Sequence, residues 1–488
     1  MKRKFWQKLT ACLCLWGLLS GALTVPAGAA SFQDVPADHW AAASITRCAA
    51  QGWFQGKTAD TFGVGQPMTR AGFAVALSRF FGWQSGDAYY QIFSDVPKDA
   101  WYEPALRACY EHGAITRQTS GFRPGDPITR EELAVMLIRA LGYGPIAGLA
   151  GDDPLPFRDV TTNKGHIAMA YELGLVSGMS RDLFVPDRAA TREQAAVMLS
   201  RLYDKLHPTQ SEDTMVLLRS GEEAESLAGY QTVVLMAGTL FGGQAPRLAL
   251  TVSDAQEAAA EAGNAAGQTV LLGISGQASA LKNAAKAAAA IRDAVAGSGF
   301  GGVYLSIAQS ADPAELAAFV QTLRAVLPEQ ALYVEVNAPV RGKTAPDYTA
   351  LSKAADRIVL RVSAYENTDG AVPVYAMEPP EAVYYALSVL NSQVPGEKLS
   401  LLLTAEGRER KGTGKTAILS GEDVAALEPL GQVYFSDRYA CAYLETKDTV
   451  AWYLNARALE TRRQLLHCFG VTSCCFTTPN GTLPAPEN

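Results

Sequence analysis

Beyond residue 30 the chain lacks three things: an uninterrupted run of eighteen apolar residues, a Cys-x-x-Cys pair, and an excess of basic charge. A helix needs about 20 apolar residues to cross a bilayer, so no membrane span is expected in the mature chain. Six cysteines follow residue 30: Cys48, Cys109, Cys441, Cys468, Cys474 and Cys475. None has zinc-ligand spacing, so buried free thiols are expected, with no metal site and no cofactor. Asp and Glu number 49 against 42 Lys and Arg, a net charge of −7. That balance argues against nucleic acid, whose binders need a basic face, but leaves room for local basic subsites.

The start of the chain has a different character. Lys2, Arg3, Lys4 and Lys8 precede a mostly apolar stretch, Leu9 to Leu23, and Ala27-Gly28-Ala29 follows with small residues. This is the pattern of a cleaved secretory signal over residues 1–29. Leu9-Thr10-Ala11-Cys12 stands at the start of the apolar stretch, so lipidation is not expected.

Three segments then recur at a spacing of about sixty residues. They open Phe32-Gln33-Asp34-Val35, Phe93-Ser94-Asp95-Val96 and Phe157-Arg158-Asp159-Val160, and close with Thr69-Arg70, Thr129-Arg130 and Thr191-Arg192. Phe62, Phe122 and Phe184 each lie seven residues before the closing Thr. Each repeat reads as helix, loop, helix. Gly52, Gly113 and Gly174 suit left-handed caps at the end of the first helix. The second helix begins at the Thr, where Thr129 with Glu132, and Thr191 with Gln194, form the capping-box pattern.

These motifs, with Trp40 and Trp101 six residues after the Asp, resemble the S-layer homology repeat over about residues 31–205. The resemblance implies an all-α, pseudo-threefold helical bundle, with repeats at 31–89, 90–150 and 151–206. It implies binding of secondary cell-wall polysaccharide, often pyruvylated, or of peptidoglycan, in grooves between repeats. It also implies location on a bacterial surface, in the cell wall or S-layer. The candidate ligands are Asp34, Trp40, Arg70, Asp95, Trp101, Arg130, Asp159 and Arg192. Arg offers a donor fork for a sugar carboxylate, Trp a flat face for a ring, and Asp an acceptor for hydroxyls. Each has a structural alternative, in packing for Trp and in the surface for Arg. The repeats also depart from the pattern: Gly72 replaces the capping Glu in the first, and Gly165 replaces the Trp in the third. The intact grooves are therefore expected mainly in the first two repeats.

Residues 207–213 are polar and read as a linker. From 214 to 488, eight short apolar strands alternate with helical segments: Met215–Arg219, Thr232–Ala237, Thr269–Ile274, Gly302–Ile307, Ala331–Asn337, Arg357–Tyr365, Lys398–Thr404 and Ser473–Thr477. Helices are expected at Ser253–Gly263, Leu281–Gly297, Pro313–Leu327 and Thr449–Phe469. The pattern predicts a (β/α)8 TIM-like barrel, and with the repeats a multidomain chain.

Gly299-Phe300-Gly301-Gly302-Val303, Leu271-Leu272-Gly273-Ile274-Ser275-Gly276 and Trp452-Tyr453-Leu454-Asn455-Ala456-Arg457-Ala458-Leu459 are similar to motifs of the family 18 glycoside hydrolases. The resemblance implies a catalytic Asp-x-x-Asp-x-Asp-x-Glu, but those four positions here are Gly301, Tyr304, Ser306 and Ala308. Ala308 cannot donate a proton, and general acid catalysis is typically worth about 10²–10⁴-fold. Thr477 stands in place of the last-strand Trp, and Tyr365-Glu366 in place of Tyr-Asp.

Strand alternation places Tyr333, Glu335 and Asn337 on one face of the fifth strand and Arg361, Ser363 and Tyr365 on one face of the sixth. A lumen ion pair between Glu335 and Arg361 is therefore expected. Glu409 to Thr416 ends like a phosphate-binding loop but lacks its first glycine, and reads as a solvated basic loop. The leading reading is a non-catalytic wall-anchored protein whose barrel could take a glycan ligand. The alternative is a wall-anchored chitin- or peptidoglycan-type hydrolase using an acid from elsewhere, with Glu335, Glu366 and Glu406 as candidates.

Overall fold

The computed structural model describes residues 32–477 except 118, 153–154, 220–226, 228, 297, 308–311, 368–372 and 413–415. The expected signal segment and Ala308 lie outside the described residues. Among the described residues no helix is long and apolar enough to cross a membrane. The chain divides into two compact units. One takes residues up to Ala140 with Pro156–Thr162 and Leu175–Arg201; the other takes Leu141–Leu155, Asn163–Gly174 and residues from Leu202 onward.

The first helix of each repeat spans Ala42–Ala50, Glu103–Glu111 and Lys164–Glu172; the second spans Arg70–Phe81, Arg130–Ala140 and Arg192–Leu206. Gly52, Gly113 and Gly174 adopt φ of +73°, +74° and +71°, the left-handed caps their sequence positions predict. Thr129 Oγ1 accepts from Glu132 N at 3.1 Å while Glu132 Oε2 accepts from Thr129 N at 2.9 Å, completing that box. The third is half made: Gln194 accepts from Thr191 N at 3.1 Å, but Thr191 Oγ1 has no partner among the described residues. In the first repeat Thr69 Oγ1 still accepts from Gly72 N at 3.1 Å.

Within the first unit the residue before each closing Thr builds a closed ring of backbone bonds. Met68 N donates to Ala190 O at 2.9 Å, Ala190 N to Ile128 O at 2.9 Å, and Ile128 N to Met68 O at 2.8 Å. All three side chains are buried. The thiols follow the same cycle. Cys48 Sγ donates to Ala196 O at 3.3 Å and Cys109 Sγ to Ala74 O at 3.4 Å. Burial pushes both thiols up to about 12, so they pack as small apolar groups. All six described cysteines are free.

In the second unit eight parallel strands close on themselves: Asp213–Arg219, Thr232–Phe241, Thr269–Gly276, Gly302–Ile307, Ala331–Asn337, Arg357–Arg361, Leu399–Leu403 and Ser473–Thr477. The first pairs with both the second and the eighth, which is the closure a TIM-like barrel requires. Arg247–Leu250 adds an antiparallel edge to the second strand. The lumen is packed with Met215, Leu217, Val234, Leu271, Tyr304, Val359, Leu402 and Cys475, a filled core.

Three sequence expectations change here. The sixth strand stops at Arg361, and Tyr365–Asn367 instead pairs with Val374–Ala376 as a separate hairpin. Thr449–Tyr453 is a strand, and the helix begins only at Ala456, where Asn455 caps it by accepting from Ala458 N at 3.0 Å. Glu409 is not in a solvated loop. Gly407–Lys411 is a strand of a five-stranded antiparallel sheet with Thr416–Leu419, Gln432–Ser436, Cys441–Glu445 and Thr449–Tyr453, and Glu409 is buried there. This sheet is inserted between the seventh barrel strand and the last helix.

Candidate functional site

The closing Arg of each repeat turns inward. Arg70 Nε donates to Phe122 O at 2.7 Å, Arg130 Nε to Phe184 O at 2.9 Å, and Arg192 Nε to Phe62 O at 2.9 Å. Each guanidinium also lies over the ring of the same Phe, at 4.8, 4.5 and 4.8 Å from the centroid. All three Arg are buried. Each therefore joins its own repeat to the next, and the third returns to the first. A cation–π contact of this kind is worth about 0.5–2 kcal/mol, so the ring of three is a substantial clasp.

The Asp side chains grip the loop that carries the Phe. Asp34 accepts from the N–H groups of Phe62, Gly63 and Val64 at 2.7, 2.7 and 3.0 Å. Asp95 does so for Phe122 and Arg123 at 2.8 and 2.6 Å, and Asp159 for Phe184 and Val185 at 2.9 and 2.7 Å. This grip bends Arg123 and Val185 into the left-handed region, with φ of 57° and 58°. Partial burial acts to raise the Asp34 and Asp159 carboxyls, and the backbone donors outweigh it, so both sit below the usual carboxylate value.

The clasps differ in charge. Arg70 also forms an ion pair with Glu132. The matching positions beside Arg130 and Arg192 are Gln194 and Gly72, and the two guanidiniums donate instead to Ser177 O and Gln55 O at 2.6 and 2.7 Å. Burial lowers both below the ordinary Arg value.

Trp40 and Trp101 behave oppositely. They remain 62% and 70% exposed, touched by the rings of their neighbours His39 and Tyr102. Gly165, at the third Trp position, is buried in the second unit, where a Cβ would run into the backbone of Ala147 and meet Gly151 N at 2.9 Å. The third repeat has given that position to close helix packing.

In the barrel the C-terminal ends of the strands carry the polar residues, where barrels of this type place their sites. Glu335 is a hub. Its carboxylate lies 2.7 Å from Arg361 Nε and accepts from Tyr304 Oη at 2.8 Å and Ser306 Oγ at 3.0 Å. The ion pair expected from strand alternation is thus formed, and Tyr304 and Ser306, two of the substituted motif positions, are bound to it. Glu406 pairs with Arg219 at 2.9 Å and Arg408 at 3.5 Å. Glu366 is exposed on the hairpin, and Tyr365 stacks on Tyr439 at 5.2 Å. A cavity of about 440 Å³ opens beside Glu335, lined also by Asn337, Lys343, Thr344, Tyr348 and Ser363.

Two residues with no motif signal complete the mouth. Glu378 is buried; its Oε1 accepts from Thr404 Oγ1 at 2.6 Å, and its Oε2 has no partner among the described residues. Burial pushes this carboxyl up, and Thr404 with the Arg462 and Arg361 charges pulls it back only in part. Arg462 is fully buried and donates to the carbonyls of Met377, Glu378, Ala440 and Ala458 at 2.7, 3.0, 2.7 and 2.7 Å. Glu378 and Ala440 both have positive φ, 34° and 42°, so the guanidinium fixes two strained turns.

The fold and its sites define a chain that joins a ring of three clasped repeats to a parallel eight-stranded barrel. The repeats are S-layer homology domains: that family matches residues 31–74, 92–134 and 156–196. An endoglucanase from Bacillus sp. (strain KSM-635) is 32% identical over 180 residues, 36% of this chain and 19% of its own. An S-layer protein from Bacillus thuringiensis subsp. finitimus is 28% identical over 204 residues, 41% of this chain and 25% of its own. The chain thus spans a quarter or less of the length of these curated relatives. Among solved structures, a chitinase from Chromobacterium violaceum ATCC 12472 superposes with a TM-score of 0.47 at 15% identity, over 55% of this chain and 93% of its own.

Proposed function

We propose that this is a secreted bacterial surface protein, held on cell-wall polysaccharide by its three repeats and resident in the cell wall or S-layer. In this reading the repeats form a pseudo-threefold, all-helical bundle, and the glycan lies in grooves that present Trp40 and Trp101. The observation that carries it is the exposure of those two indoles, 62% and 70%, in a motif whose Phe, Asp and Arg are otherwise engaged in the fold. An exposed aromatic face offers a sugar ring an apolar platform at low conformational cost. The test is sedimentation of residues 31–205 with purified wall polysaccharide. Trp40→Ala with Trp101→Ala should abolish retention and leave the melting temperature unchanged; undiminished retention would sink the assignment.

The barrel is read as a non-catalytic glycoside hydrolase family 18-like domain. The support is chemical: Gly301, Tyr304 and Ser306 carry no carboxylate, and Glu335 and Glu406 are both ion-paired. Residues 214–488 should therefore leave chitin oligomers and peptidoglycan uncut. Cleavage that disappears on Glu335→Gln would establish the hydrolase alternative instead.

A further inference from the structure

The inserted sheet ends on an open edge. Among the described residues Gln432–Ser436 pairs on one side only, with Cys441–Glu445. Free edges template pairing with another strand, and proteins commonly blunt them with charge, proline or a bulge. Residues 432–436 read Gln-Val-Tyr-Phe-Ser, with no charge or proline of their own, and their register with the neighbouring strand is unbroken; Arg457 lies over the Phe435 ring at 3.8 Å. Exposed apolar side chains gather there, with Leu430 at 73%, Val433 at 45% and Tyr434 at 36%. The edge is also held in shape. Tyr434 stacks on Tyr443 at 5.2 Å, and Tyr443 on the buried Trp452 at 4.7 Å. A preorganised edge loses little entropy on pairing.

We propose that this edge is a self-association surface, on which two copies of the chain pair Gln432–Ser436 antiparallel about a twofold axis. The strand is complementary to its own reverse. With Tyr434 on the axis, Val433 faces the partner's Phe435, Gln432 faces the partner's Ser436, and no like charges meet. The flanks complement each other as well. Antiparallel pairing brings the Arg438 end of one strand to the Glu428 end of the other. Arg438 lies over Tyr439 at 5.2 Å with no carboxylate at ion-pair distance among the described residues. Glu428 uses Oε1 to accept from Tyr453 Oη at 2.9 Å, which leaves Oε2 for the arginine. The opposite edge, Thr416–Leu419, is shorter, and its Thr416 hydroxyl is bound to Tyr375 at 2.7 Å. Pairing that edge with Gln432–Ser436 would be head-to-tail and would not close.

The experiment is sedimentation equilibrium on the chain lacking residues 1–29, from about 1 to about 100 μM, without wall polysaccharide. The expected result is a reversible monomer–dimer equilibrium. Val433→Lys sets a charge against the partner's Phe435 on each side of the axis and should weaken the dimer by about a hundredfold or more, with an unchanged melting temperature because Val433 is exposed. Arg438→Glu and Glu428→Arg should each weaken it, and the two together should restore it. A monomer at every concentration overturns the proposal. Filaments in place of a dimer also overturn it, in favour of the head-to-tail arrangement.

Discussion

Arg361 Nε and Glu335 Oε1 stand 2.7 Å apart on adjacent barrel strands, and the same oxygen receives the Ser306 hydroxyl at 3.0 Å. The carboxylate is nearly buried, and Arg361 is its only ion-pair partner among the described residues. Arg361→Met removes that charge and leaves Glu335 with two hydroxyl donors. Breaking a fully buried pair costs about 3–5 kcal/mol, and the partial exposure of Arg361 reduces the expectation to about 2 kcal/mol. Glu335→Gln in the same background should recover about half. Urea denaturation of the four-member cycle measures this; a loss below about 0.5 kcal/mol for Arg361→Met would show that the pair is decorative.

Gly165 gives a test of the third repeat. A single methyl group there meets the backbone of Ala147, which cannot move aside as a flexible side chain would. Gly165→Ala should therefore destabilise by about 1–3 kcal/mol, the usual cost of overpacking. Gly165→Trp, which restores the family's residue, should fail to fold at this site. Thermal melts decide it, and an Ala variant as stable as the parent would mean the helices separate freely.

The repeat Asp residues set an acid limit on the first unit. The Asp34 carboxyl is held below its ordinary 3.8 in the fold. Its stabilising effect is thus fully present above about 3.8 and is lost as pH falls through the lower, folded value. Asp34→Asn keeps one acceptor oxygen but cannot match all three backbone donors. It should lower stability at neutral pH and flatten the decline below about pH 4. Chemical denaturation of residues 31–205 across that range is the measurement, and parallel acid profiles for the two proteins would refute the role given to Asp34.

How much of this was legible depended on periodicity. The eight barrel strands were readable because buried parallel strands are short apolar runs, and six of the eight were placed within two residues of their bounds, the second and sixth missing at their C-terminal ends. The Glu335–Arg361 pair followed from alternation alone. The inserted sheet was not readable as such: Gln432–Ser436 and Cys441–Glu445 are half-exposed and lack a clean period. Thr449–Tyr453 runs straight into a helical sequence, so the two merged into one helix. Arg70, Arg130 and Arg192 were found as motif residues, but their inward course was hidden, since a sequence does not say which repeat's carbonyl will receive a guanidinium. Glu378 and Arg462 had no signal, because their importance comes from turns distant in sequence.

Arg462 joins the two strained turns through the carbonyls of Met377, Glu378 and Ala440 at 2.7–3.0 Å and binds Ala458 O of its own helix at 2.7 Å. Lysine has one nitrogen and cannot span that set. Arg462→Lys should cost about 3–5 kcal/mol, close to the cost of Arg462→Met, because both leave buried carbonyls unpaired. If lysine retains most of the stability by denaturation, the fork geometry is not what matters.

Glu378 should impose a pH dependence of the opposite sign from Asp34. Burial raises its carboxyl above the ordinary 4.5. Between 4.5 and that higher folded value the native state holds a proton that the unfolded chain has released. Stability therefore falls as pH rises through that window, and the full contribution is present below about 4.5. Glu378→Gln keeps the shape and an acceptor for Thr404 while removing the titration. The variant should match the parent at low pH, surpass it progressively through the window and keep a constant margin above it, reduced by the attraction that Arg361 and Arg462 lose. Denaturation of residues 214–488 from about pH 4 to 8 tests this. A parent curve that rises through the window relative to the Gln variant would mean the two arginines dominate and the carboxyl is ionised in the fold.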